Sequence, residues 1–275
     1  ASTVPATPML GGVSSAALLS ACSSGETIAT RITGIIFNNM AAPTATADRA
    51  TTFTNATVTL TYANDSNTAN VSRALSYKSI YKTGDTLSRP VVEGGQALAG
   101  GYYDVNGNAI IDTSGTTAVQ FFSDCPDGTS LLKLNNPSVP GITGNTLFHV
   151  AQFEYKTANA KQGEARPGGG VYNVGGTSNG MYGLLPSQIG VTALNQDKTT
   201  GDLTPVSYHP VNTASVHGLW ITCASSLSPW NTHLSSEEYP PDATALTGSS
   251  LTSFQTFSSN TFGSATQANP YHYGH

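Results

Sequence analysis

Thr54-Asn55-Ala56-Thr57-Val58-Thr59-Leu60-Thr61-Tyr62 alternates polar and apolar side chains from Asn55 onward. Successive side chains of an extended chain point to opposite faces, so Ala56, Val58, Leu60 and Tyr62 share one face, the signature of a half-buried β-strand. Working outward, shorter runs of the same character recur at Leu75 to Tyr81, Ala118 to Phe122, Ser130 to Leu134, Leu147 to Tyr155, Ile189 to Leu194 and Gly218 to Cys223. Stretches rich in Gly, Pro and Asn separate them, and a 3.6-residue apolar period is almost absent. Many short strands with turn punctuation specify an all-β chain, either a sandwich or a propeller. No WD or kelch period chooses between the two.

Composition agrees with strands. Only 10% of the 275 residues are Asp, Glu, Lys or Arg, against about 25% in an average soluble protein. Ser, Thr, Ala, Asn and Gly take their place, as suits extended structure and proteins that work outside the cell. The formal net charge of −5, with no basic stripe, argues against nucleic acid as a partner. No run of about 20 apolar residues is present to span a membrane.

Residues 1–50 read as an extended N-terminal arm rich in Ala, Ser, Thr and Pro. Leu19-Ser20-Ala21-Cys22 has the form of a lipoprotein cleavage box, but the first cationic side chain is Arg31, so no basic region precedes it. Ala1 therefore reads as the product of an earlier signal cleavage. Three cysteines, Cys22, Cys125 and Cys223, leave at least one without an intrachain partner. They are either three separate buried thiols, or a Cys22–Cys125 disulfide with Cys223 free to bind a metal.

The segment from Val216 to Ala243, VHGLWITCASSLSPWNTHLSSEEYPPDA, holds the richest chemistry. A strand-like run ends at Cys223, a Ser-Pro-Trp turn follows, and a second short run ends at Glu237-Glu238. A hairpin would bring thiolate and carboxylates to neighbouring strand ends, a plausible ligand set for iron or zinc. A core thiol beside a solvated acidic turn fits the same letters. Asp104-Val105-Asn106-Gly107-Asn108 resembles the start of a calcium loop, with oxygen ligands Asp104, Asn106 and Asn108 at alternate positions. The full twelve-residue pattern fails, since no Glu closes it, and an ordinary Asn-Gly hairpin turn explains the letters better. Asp124-Cys125-Pro126-Asp127-Gly128 could place two carboxylates near a disulfide, but Pro-Asp-Gly reads as an ordinary turn. On a strand from Leu147 to Tyr155, His149 and Glu154 fall on opposite faces.

Cys223-Ala224-Ser225-Ser226, Ser228-Pro229-Trp230-Asn231-Thr232 and Leu234-Ser235-Ser236-Glu237-Glu238 resemble the signature of the PhoX-type alkaline phosphatases. In that signature a Cys, small residues, Thr-Pro-Trp-Gly-Thr and a terminal Glu-Glu recur at this spacing. The ending Asn269-Pro270-Tyr271-His272-Tyr273 resembles a second short motif of the family. The resemblance implies a partial β-propeller over 51–275, the N-terminal half of a ring that a C-terminal half or a second chain would complete. It implies a secreted or cell-surface bacterial phosphomonoesterase using iron and calcium, with Cys223 bridging the irons and Glu237 or Glu238 as a ligand. The departures are Ser225-Ser226 for Gly-Gly, Asn231 for Gly, and His233 for an aromatic residue. They leave open an alternative, a catalytically reduced propeller that self-assembles as a surface-lattice, filament or scaffold protein.

Overall fold

The computed structural model describes residues 31–49, 54–63, 68–161 and 180–274. The chain is mostly β, built from small antiparallel sheets with no closed barrel among the described residues. It divides into two compact units, one reaching to residue 79 and the other beginning at Ile80, with the turn 197–201 counted in the first.

The first unit is a three-stranded sheet in the order β1 (Arg31–Asn38), β2 (Thr57–Ala63), β3 (Thr68–Ala74). The alternating stretch quoted above becomes β2, with Leu60 paired to Ile35 on one side and Val71 on the other. The boundary expected at residue 50 falls within this sheet, because β1 hydrogen-bonds to β2. Residues 35–37, Ile-Ile-Phe, lie exposed on the edge strand. A one-turn helix, α1 (Thr46–Arg49), follows β1.

The second unit is organised around a four-stranded antiparallel sheet of β8 (Cys125–Leu132), β9 (Asn145–Tyr155), β10 (Gln188–Gln196) and β11 (Leu203–Pro210), in the order β11-β10-β9-β8. Two small hairpins precede it, β4 (Thr86–Ser88) with β5 (Gln96–Leu98) and β6 (Ile111–Asp112) with β7 (Val119–Gln120). β9 is one of the two inner strands, and its two faces do different work. Ala151 and Phe153 pack with Tyr208, Ala97 and Ala99 against the segment carrying β4 and β5. His149 lies on this side too, its Nδ1 2.8 Å from the Tyr81 hydroxyl, which accepts from Thr192 Oγ1 at 2.9 Å. Full burial of a side chain such as Phe153 contributes about 1.5–3 kcal/mol. The opposite face presents Gln152 and Glu154, and over it lies a further hairpin, β12 (Thr222–Leu227) with β13 (His233–Glu237).

Two further apolar clusters hold this unit. Tyr102, Ile110, Phe121, Met181 and Leu185 form one; Trp220, Ile221, Phe254, Phe257 and Tyr273 form the other. The second anchors α2 (Gly248–Phe262), whose buried Phe254, Phe257, Ser258 and Thr261 form a single stripe. Its start is closed by Ser250 Oγ, which accepts from the Thr247 N–H at 3.1 Å, and its end by Gly263 in the left-handed region. The run expected from Leu75 to Tyr81 is not a strand. No described helix is long and apolar enough to cross a membrane.

Candidate metal centre

Two bulges aim the side chains of the site. The register of β12 on β13 shifts between Thr222 and Ser225, so Cys223 and Ala224 together oppose a single partner position. The register of β8 on β9 shifts on both sides of Pro126, which still pairs with Phe153, and the second shift leaves Asp127 and Gly128 outside the ladder. Bulges re-aim side chains and recur beside functional sites. Gly128 makes their approach possible. A Cβ built there would stand 2.6 Å from Ser225 Cβ and Oγ and 2.7 Å from the Cys223 carbonyl oxygen. No residue but glycine lets β12 lie this close over β8.

The consequence is a convergence of four acidic groups from four segments. Ligand atoms of Asp127, Glu154 and Cys223 all lie within 4.8 Å of one another. The Glu238 carboxyl, just beyond β13, interacts with both Glu154 and the Cys223 thiol. Two ligands of one cation stand no farther apart than the sum of their bond lengths, about 4–5 Å for sulfur and oxygen at 2.0–2.6 Å from the ion. The spacing therefore fits a shared ion. Asp127 is exposed and Glu154 and Cys223 are half-buried, so the cluster opens to solvent.

The electrostatics reflect what such crowding costs without a cation. Burial, then a hydrogen bond and charge repulsion from Glu238, with repulsion from Asp127, push the Glu154 carboxyl up to about 7. The hydrogen bond to Asp127, then burial, and the charges of Asp127 and Glu238 push the Cys223 thiol up to about 12. Like charges about 4 Å apart near a protein surface repel by roughly 4 kcal/mol. A proton or a cation must absorb that charge. Tyr182 borders the cluster, its ring meeting Tyr155 edge-on at 4.9 Å, and burial followed by the Glu238 and Glu154 charges pushes its phenol up to about 12.

The structure separates the acidic doublet. Neighbouring side chains in extended chain point opposite ways, and Glu237 turns from the cluster. Its Oε1 accepts from the Trp220 N–H and its Oε2 from the Gly274 N–H, both at 2.6 Å. It fastens the segment carrying the third apolar cluster, while Glu238 faces the thiol.

The other sequence candidates lie elsewhere. Asp104 closes its own turn: Oδ1 accepts from the Asn106 and Asn108 N–H groups at 2.9 and 2.8 Å, and Oδ2 from Asn108 Nδ2 at 3.0 Å. Asn106 joins this turn through its backbone. Cys125 carries a free thiol, with Sγ 3.6 Å from Thr157 Oγ1. Cys22 lies outside the described residues.

Asp127 and Glu154 were not legible as ligands. Pro-Asp-Gly reads as an ordinary turn, and only its place inside a bulged strand aims Asp127 at Cys223. Strand parity does separate Glu154 from His149, and the structure keeps them on opposite faces of β9. Nothing in the letters says that β12 covers the Glu154 face. No family model, curated protein or solved structure matches this chain.

Proposed function

We propose that this chain is a secreted or cell-surface metal-dependent phosphomonoesterase of the PhoX type, with its cation at Cys223, Asp127, Glu154 and Glu238. One observation carries the proposal. The cysteine of the PhoX-like motif meets Asp127 and Glu154 within the reach of one ion, and the motif's second glutamate, fifteen positions on, interacts with both the thiol and Glu154. A solvated acidic turn beside a core thiol would have no reason to recruit Asp127 and Glu154 from the sheet opposite.

A soft sulfur with several carboxylates suits a borderline cation such as iron or zinc, and the oxygen-rich side suits calcium. A metal held there would supply Lewis acidity toward a phosphoryl oxygen. The chain's own contribution is to hold two of the four donors, Asp127 and Cys223, at strand bulges beside Glu154 and Glu238, and to leave the solvent side open for a phosphate ester. Tyr182 borders that opening. The four-stranded antiparallel sheet β8–β11, each strand beside its sequence neighbour, has the make-up of one propeller blade. A C-terminal half or a second chain would complete the ring.

Purified protein loaded with iron and calcium is expected to hydrolyse p-nitrophenyl phosphate, and both a chelator and Cys223→Ser are expected to abolish turnover. Turnover that survives both treatments would exclude this centre from the chemistry. A second reading rests on the exposed edge of β1. Ile35, Ile36 and Phe37 there suit strand addition, and with it a propeller that assembles as a lattice, filament or scaffold. It predicts polymers by electron microscopy and no ester turnover.

A further inference from the structure

We propose that Gln152, clamped by His233 and Ser130, is a positioning residue that holds the Cys223 sulfur over the carboxylates. This rests on the metal centre proposed above and deepens it. Gln152 sits in the middle of β9, two residues before Glu154, and is fully buried at 0% exposure. Its Nε2 donates to the Cys223 carbonyl at 2.8 Å and lies 3.4 Å from the Ala224 carbonyl. These are the two residues of the β12 bulge. The bulge has left the β13 ladder there, so a side chain from another strand supplies the bond the ladder does not.

The amide orientation follows from those contacts. With Nε2 committed to carbonyl oxygens, Oε1 is the atom facing His233 Nε2, at 3.1 Å. An amide oxygen only accepts, so His233 carries its proton on Nε2. Its Nδ1 is then an acceptor, and Ser130 Oγ, 2.9 Å away, donates to it. Burial lowers the His233 pKa, which favours this neutral ring. The chain Ser130–His233–Gln152–Cys223 therefore runs in one direction through β8, β13, β9 and β12. It ties the strands that carry Cys223 and Glu238 to the strands that carry Asp127 and Glu154. His233 stands where the resembled signature has an aromatic residue, which could not complete this chain. The arrangement is the outer layer of hydrogen bonds that orients metal ligands, whose loss costs roughly 10–100-fold in affinity.

Cobalt(II) is the probe, because thiolate coordination gives it an ultraviolet charge-transfer band. Gln152→Glu keeps the shape and the acceptor toward His233 but removes the donor to Cys223. It is expected to weaken cobalt binding at least tenfold and to reduce the thiolate band per bound cobalt. His233→Phe is expected to do the same. A merely structural role would lower the melting temperature and leave the band of the folded protein unchanged. Binding within twofold of wild type with an undiminished band would overturn the positioning role while the metal centre stands. A wild-type band absent, or unaffected by Cys223→Ser, would overturn the centre itself and the positioning role with it. If neither variant folds, Ser130→Ala, which removes only the outer end of the chain, is expected to weaken binding at least threefold; unchanged affinity there overturns the role.

Discussion

Glu237 and Glu238 are neighbours with opposite duties, and substitution separates them. Glu238→Gln removes a charge from the cluster and is expected to weaken cation binding at least tenfold with little change in stability, read by chelator competition and thermal melting. Glu237→Ala leaves the Trp220 and Gly274 N–H groups without their carboxylate. Hydrogen bonds to charged groups contribute about 1.5–3 kcal/mol each and two are lost, so a loss of roughly 3–6 kcal/mol in urea unfolding is expected, with cation affinity kept. Glu154 sets the pH dependence. Its carboxyl rises from the ordinary range to about 7 in the fold, so the cation-free fold favours the protonated form. That contribution is complete below about pH 4.5 and is lost as pH rises toward 7. Cation-free protein should therefore melt higher at pH 5 than at pH 8, and a bound cation should reverse the order. An unchanged melting temperature across that window with and without cation would contradict the crowding of these groups. The sequence made Cys223 and the acidic doublet legible as candidates, because thiol and carboxylates on a hairpin are a recognisable ligand set. Which glutamate faces the thiol depends on the β12 bulge, and no residue pattern announces that.

At the scale of elements, the approach of β12 to β8 decides the site. Gly128→Ala places a methyl group on Ser225 and on the Cys223 carbonyl. The hairpin must lift, and Cys223 moves from Asp127 and Glu154. Cation binding is expected to fall at least tenfold, while thiol-alkylation of Cys223 in the cation-free protein quickens. The strands from Asn145 to Tyr155 and from Gln188 to Gln196 were legible from their apolar runs, since both are buried at the centre of a sheet. α2 was not. Its sequence, GSSLTSFQTFSSNTF, is rich in residues with poor helix propensity, and only Leu251, Phe254 and Phe257 mark the period. Packing on Trp220 and Tyr273 holds it instead. Phe257→Ala is expected to cost about 3–5 kcal/mol, measured by urea unfolding, with α2 the element released.

For the whole molecule, low charge and small polar side chains foretold strands, and strands predominate. The division into units was less legible. A change of composition near residue 50 suggested an arm, yet Arg31–Asn38 pairs with Thr57–Ala63, a long-range contact that composition does not encode. All four proposed ligands belong to the unit that begins at Ile80, so a chain starting there is expected to bind a cation within threefold of the full protein. Most directly at stake is whether the thiol at 223 shares an ion with Asp127, Glu154 and Glu238. A crystal structure of zinc-soaked protein, with data collected at the metal's absorption edge, tests that. An anomalous peak is expected about 2.0–2.4 Å from the Cys223 sulfur and from carboxylate oxygens of at least two of the three acids. A saturated crystal with no peak between these side chains, or with the sulfur turned from the acids, would contradict it.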